Sequence, residues 1–152
     1  MAMTMAGEYQ LPAQQQAVWE KLNDPVVLKA CIPGCESLEK TSDSGFAAVA
    51  TIKIGPVKAK FKGAVTLSDL DPPNGYKISG QGEGGVAGFA KGGATVKLAP
   101  KDGGTLLSYT VEAQIGGKLA QLGQRLINGA AKKIADDFFA NFANAVNPGA
   151  AS

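Results

Sequence analysis

Histidine is absent from this 152-residue chain. Its absence removes the usual general base, the usual triad partner and the commonest zinc ligand at once. Cysteine is nearly absent as well. Cys31 and Cys35 are too few for a disulfide scaffold, and without histidine or a second pair they do not read as a metal site. They read as buried or half-buried reduced thiols, with a redox or ligand-contacting role as the alternative. Charge is scarce too, at 18% of residues with a net +2, so general attraction to nucleic acid is not implied. No apolar run is long enough to span a bilayer. Met1–Gly7 has neither the basic flank nor the apolar length of a secretory signal.

Apolar residues make up 45% of the chain, enough for one sizeable core, and there are 20 glycines. The reading is a single domain over residues 1–147, with 148–152 as a flexible tail or the start of a linker. Turn clusters punctuate the middle of the chain: Ser42–Gly45, Gly55-Pro56, Asp71–Gly75, Gly84-Gly85 and Lys101–Gly104. Between them, apolar and polar residues alternate, which predicts an antiparallel meander with one dry face and one wet face. Phe46, Ala48, Ala50, Ile52 and Ile54 share the dry face of one strand. Phe61, Val65 and Leu67 follow on the next, then Tyr76 and Ile78, then Val96 and Leu98, then Leu107, Tyr109, Val111 and Ile115. Met3–Leu11 reads as a first strand. Two short helices follow it, the second opened by Asp24 as N-cap and Pro25 at the first helical position.

Lys118–Val146 reads as one unbroken helix of roughly 44 Å. Leu119, Leu122, Leu126, Ile134 and Phe138 lie near one stripe, which also takes in Gly123 and Ala130; the small residues signal either close packing or space for a ligand. Ala135, Phe139, Ala143 and Val146 form a second strip, read as an exposed contact surface. A curved sheet around such a helix leaves a hollow. Phe61, Tyr76, Tyr109, Val111, Leu122, Gly123, Leu126, Ala130 and Ile134 are expected to line it. For the two tyrosines, ordinary core packing is the competing reading.

Turns alternate between the ends of a meander. Cys31–Cys35, Gly55-Pro56, Gly84–Ala90 and Gly116–Lys118 should therefore share one end. Ile32, Pro33, Pro56, Val86 and Phe89 then form the rim of the hollow, with few charges near them. Gly80–Gly85 has the letters of a dinucleotide fingerprint, but a strand pattern follows it rather than a helix. Glu83, Glu112, Asp136 and Asp137 show no recognisable pairing, and no catalytic constellation appears. Lys53, Lys58, Lys60 and Lys62 line the wet face of one hairpin, as a solvated row or as a contact for anionic lipid or an acidic protein.

Leu11-Pro12-Ala13, Val18-Trp19, Leu22-Asn23-Asp24-Pro25 and Cys31-Ile32-Pro33-Gly34-Cys35-Glu36 together resemble the opening of the CoxG family, named for carbon monoxide dehydrogenase. Gly88-Phe89-Ala90, Gly116–Gly123 and Gly129–Lys132 with Phe138-Phe139 resemble its later segments, so the resemblance covers about residues 3–146. It implies an α+β, START-like (SRPBCC) helix-grip fold: a seven-stranded antiparallel sheet around a long C-terminal helix, with two short helices after the first strand. It also implies a link to the molybdenum-containing carbon monoxide dehydrogenase and to the inner face of the cytoplasmic membrane. Joined to an apolar hollow without catalytic groups, this leads to the expectation of a non-enzymatic carrier of a respiratory quinone, menaquinone or ubiquinone, that also serves as a membrane adaptor for the dehydrogenase. The alternatives are a pure docking module and, further off, a small-molecule cyclase or hydrolase.

Overall fold

The computed structural model of the chain describes residues 1–147; the expected tail at 148–152 lies outside the described residues. β1 (Ala2–Leu11) leads to α1 (Gln15–Leu22) and α2 (Pro25–Cys31). The Asp24 side chain accepts the Val26 N–H at 2.9 Å, which caps α2 as its Asp-Pro start predicts. Six strands follow in a meander: β2 (Cys35–Ser42), β3 (Gly45–Ile54), β4 (Val57–Asp71), β5 (Gly75–Glu83), β6 (Phe89–Lys101) and β7 (Gly104–Gly116). All seven form one antiparallel sheet in the order β1-β7-β6-β5-β4-β3-β2, so β1 and β2 are its edges.

β2 is the strand that alternation does not reveal. Its sequence, CESLEKTS, is largely exposed and polar, as an edge strand tolerates. Pairing with β3 holds it in place, with Leu38 opposite Ala48. The start of β6 is also earlier than the pattern suggests. Glycine at 92 and 93 hides the alternation, yet pairing with both neighbours runs back to Phe89.

The expected unbroken last helix is two helices, α3 (Lys118–Gln121) and α4 (Gln124–Val146). Gly123, at φ +89° and with no atom within 4 Å of where a Cβ would stand, marks the break. It is therefore neither a close-packing contact nor a helix-interior gap. A glycine there supplies a backbone conformation that L side chains rarely adopt. Because the helix restarts at Gln124, the stripe that meets the sheet is rotated from the expected one. Ile127, Phe142 and Val146 are its buried residues, and Ala135, Phe138, Phe139 and Ala143 pack against the core. The strip Ala135–Phe139–Ala143–Val146 is thus core packing and not an exposed contact surface.

The core splits along α4. The larger part gathers Phe142 and Val146 with Val18, Leu22, Leu67, Tyr76, Val96 and Leu107. The smaller joins Ile127 to Met3, Ile115 and Leu119. Trp19 meets Tyr76 edge-on at 5.4 Å. Asn141 Nδ2 donates to the Cys31 carbonyl at 3.0 Å, which ties the end of α4 to α2.

Candidate functional site

α4 is held to the sheet on one side and stands off it on the other. On the β1 side, the Phe139 ring stacks on Tyr9 at 4.2 Å and on Tyr109 at 5.6 Å. Gly7, opposite Tyr109 in the β1–β7 register, lies under that ring and leaves room for it. The Tyr9 hydroxyl donates to an oxygen of Asp136, whose other oxygen takes the Lys132 ammonium at 2.8 Å. A cleft of about 470 Å³ remains beside this seam, lined by Met3–Tyr9, Tyr109, Asn128, Lys132 and Asp136.

The seam sets its own protonation. Burial, followed by the bond to Asp136, holds the Tyr9 proton well above the ordinary phenol range. Lys132, followed by Tyr9, holds the Asp136 carboxyl below the ordinary carboxylate range. A carboxylate with a depressed folded-state pKa contributes stability in full above its unfolded value, about 4, and loses it as pH falls through the folded value. Asp136→Asn should therefore lower the melting temperature at pH 7, and the gap to the unsubstituted protein should close below about pH 4. Thermal melts across that range test it; a gap that persists at the lowest pH would show that charge at Asp136 is not what stabilises the seam.

On the other side of α4, an open cleft of about 790 Å³ separates the helix from the end of β3. β2 stops at Cys35, opposite Ala50, so β3 runs on as an uncovered edge from Thr51 to Ile54. Ile52 and Ile54 on that strand and Leu122, Leu126, Ala130 and Ile134 on the helix give the cleft apolar walls. Its polar groups are Thr51, Lys53, Arg125 and the Lys133–Asp137 pair, the last closed at 2.7 Å. Leu126 is 40% exposed and reaches across to Gly55 at the β3–β4 turn.

The residues expected to line one hollow are thus divided. Leu122, Leu126, Ala130 and Ile134 come together in the β3–α4 cleft. Gly123, at the helix break, does not line it. Tyr109 belongs to the β1 seam. Val111 lies on the bare concave face with Gly63, Val65, Ile78, Gly80 and Ala94. Phe61 lies against Gly84. Tyr76 is buried in the larger core, where burial pushes its phenol up to about 12. The residues that reasoning from sequence missed are the β3 edge and the Tyr9–Asp136–Lys132 seam. Only the Lys132–Asp136 spacing on one helix gave any local signal.

The expected rim divides in the same way. Turn parity holds: Gly34 lies on Thr51, Gly55 on Leu126 and Gly88 on Gly117. Pro33 lines the β3–α4 cleft. Ile32 closes α2, its N–H donating to the Leu28 carbonyl, and Pro56 is an exposed turn residue. Val86 and Phe89 border a separate dent with Gly88 and Gly117. Phe89 is neither a core plug nor a gate, because its ring lies over Gly116 and it stays 42% exposed. The end is not poor in charge either: Lys53, Lys58, Lys118 and Arg125 stand on it, exposed.

The thiols are protonated at neutral pH. Burial pushes both Cys31 and Cys35 up, so neither is a ready nucleophile. Among the described residues, no cluster of three or more Cys, Asp and Glu side chains could hold a metal ion. No helix among them is long and apolar enough to cross a membrane.

A curved antiparallel sheet gripping a C-terminal helix, with clefts on either side of that helix, defines the helix-grip class. Solved structures at low identity share it. Zhui aromatase/cyclase from Streptomyces sp. R1128 matches at a TM-score of 0.69 and 11% identity, with 96% of this chain and 94% of that chain covered. Ara h 8.0201 matches at 0.68 and 16%, over 96% and 98%. A conserved protein from Geobacillus kaustophilus is far more similar, at a TM-score of 0.89 and 37% identity over 95% of both chains. Among curated proteins, none matches. The family model of CoxG, the G-type subunit of carbon monoxide dehydrogenase, matches residues 7–147, and the chain belongs to that family. The family associates it with carbon monoxide dehydrogenase as an accessory protein.

Proposed function

We propose that the protein carries an isoprenoid quinone, menaquinone or ubiquinone, between the inner face of the cytoplasmic membrane and carbon monoxide dehydrogenase, without catalysing a reaction of its own. The observation that carries this reading is the β3–α4 cleft. It is large enough for a small organic molecule, its walls are mainly aliphatic, and it is open along one side. Its nearest titratable groups are cations and an already paired carboxylate, which suit binding better than proton transfer. A dehydrogenase that hands electrons to a lipid-soluble acceptor needs that acceptor outside the bilayer, and a cleft of this kind shields an isoprenoid chain from water.

Organic extraction of the purified protein followed by mass spectrometry tests the reading. The expected result is co-purified isoprenoid quinone, or stoichiometric uptake when quinone is supplied in detergent. No quinone and no uptake would overturn it. Retained binding to the dehydrogenase in that case would leave a docking module.

A further inference from the structure

The two ends of the sheet carry opposite charge. The start of β1, the β3–β4 turn, the β5–β6 connection and the β7–α3–α4 junction share one end. Lys53, Lys58, Lys118 and Arg125 are exposed there, and no ion pair among the described residues engages any of them. The carboxylates of that end are Glu36, already held by Thr51 and Lys60, and Glu83. The turns of the opposite end hold Asp43, Asp69, Asp71 and Asp102, with Lys40 and Lys101 as partial balance. Exposed apolar side chains follow the same division. Val86, Phe89 and Leu126 project at the cationic end, 85%, 42% and 40% exposed, against Leu70 at the other.

We propose that the cationic end docks on a bilayer bearing anionic phospholipid headgroups, with the four cations over the phosphates and Val86, Phe89 and Leu126 entering the interface. Turn-tip apolar side chains ringed by lysine and arginine match a fluid anionic surface, which needs no complementary shape. An acidic protein partner would instead be met by a built surface, and Val86 and Phe89 stand on a hairpin tip apart from the Leu126 cleft. The opposite, aspartate-bearing end is repelled by the same surface, so the molecule lands in one orientation. That orientation turns the β3–α4 cleft towards the bilayer. In this last respect alone the inference rests on the carrier reading.

Co-sedimentation with phosphatidylglycerol–phosphatidylcholine vesicles, at low and high salt, tests it. Partitioning should require phosphatidylglycerol and fall as salt rises. Lys58→Gln/Lys118→Gln should lower it about 25-fold, about fivefold per residue, whereas Lys40→Gln/Lys101→Gln should change it less than about twofold. Phe89→Ser should lower it at every salt concentration. Equal partitioning onto pure phosphatidylcholine, or equal loss in the two double variants, would overturn the proposal. So would absence of vesicle binding alongside lysine-dependent binding to the dehydrogenase, which assigns the end to an acidic protein surface. Quinone uptake from detergent reads the carrier function separately. Lys58 and Lys118 do not line the cleft, so the double variant keeps that uptake if the carrier reading holds. If the unsubstituted protein takes up no quinone yet docks as described, the carrier reading fails and the docking stands.

Discussion

Replacing Ala130 by leucine should reduce quinone uptake about tenfold, equivalent to about 1.4 kcal/mol of binding, while leaving the fold intact. Ala130 faces the β3–α4 cleft from the second turn of α4, between Leu126 and Ile134. The added carbons enter open space and not the packed core, so the overpacking cost of roughly 1–3 kcal/mol seen in filled interiors does not apply. Alanine-to-leucine is also nearly neutral in a helix. Ala140→Leu, exposed on the same helix and outside the cleft, serves as the comparison. Quinone titration of both variants, with their melting temperatures, decides the matter. Equal uptake by both would place the ligand elsewhere on the molecule. Gly123 cannot serve this purpose, since any side chain at φ +89° strains the backbone whatever it does to the cleft.

Phe142→Ala should be among the most damaging single truncations in α4, at about 3–5 kcal/mol. Phe142 has no exposed surface, stacks on Phe138 at 5.7 Å and joins α4 to side chains from α1, α2 and the sheet. Alanine leaves a void among residues fixed by three elements, and the surroundings have little freedom to collapse into it. Against the total stability of about 5–15 kcal/mol usual for a domain, this is a large fraction. For a chain of this length the melting temperature should fall by about 10 °C or more. Denaturant titration checks the figure; a loss under about 1 kcal/mol would mean the void closes by movement of α4.

Much of this fold was legible because alternation survives wherever one face of a strand is covered. β3, β4 and β7 present it over most of their lengths, and the Asp-Pro start of α2 is a local signal that tertiary structure had no reason to override. β2 carried no such signal, since both its faces are largely wet and only Leu38 betrays it. The helix break was hidden because glycine fits a helical pattern as a small residue, and only the backbone angle at Gly123 separates the two meanings. That single turn of register moved Phe139 from an expected outer surface to the aromatic seam. The cleft could not be read from periodicity at all. It depends on β2 ending before β3 does, and on Tyr9 finding Asp136 across most of the chain. What composition did convey was the lack of chemistry: without histidine and with both thiols buried, binding is the natural use of the space.

The unequal fastening of α4 has a mechanical consequence. Ring stacking and the Tyr9–Asp136 bond fix one flank of the helix, Asn141 pins its far end, and Gly123 leaves its near end joined by a single unsupported residue. A rod clamped along one flank and at one tip has a single soft motion, a swing of its free tip about the clamped flank. In this molecule that swing widens or narrows the gap to β3 while the Tyr9–Phe139 stack stays closed. A bulky guest can therefore be admitted sideways, as through a door on one jamb, without unfastening anything on the hinge side.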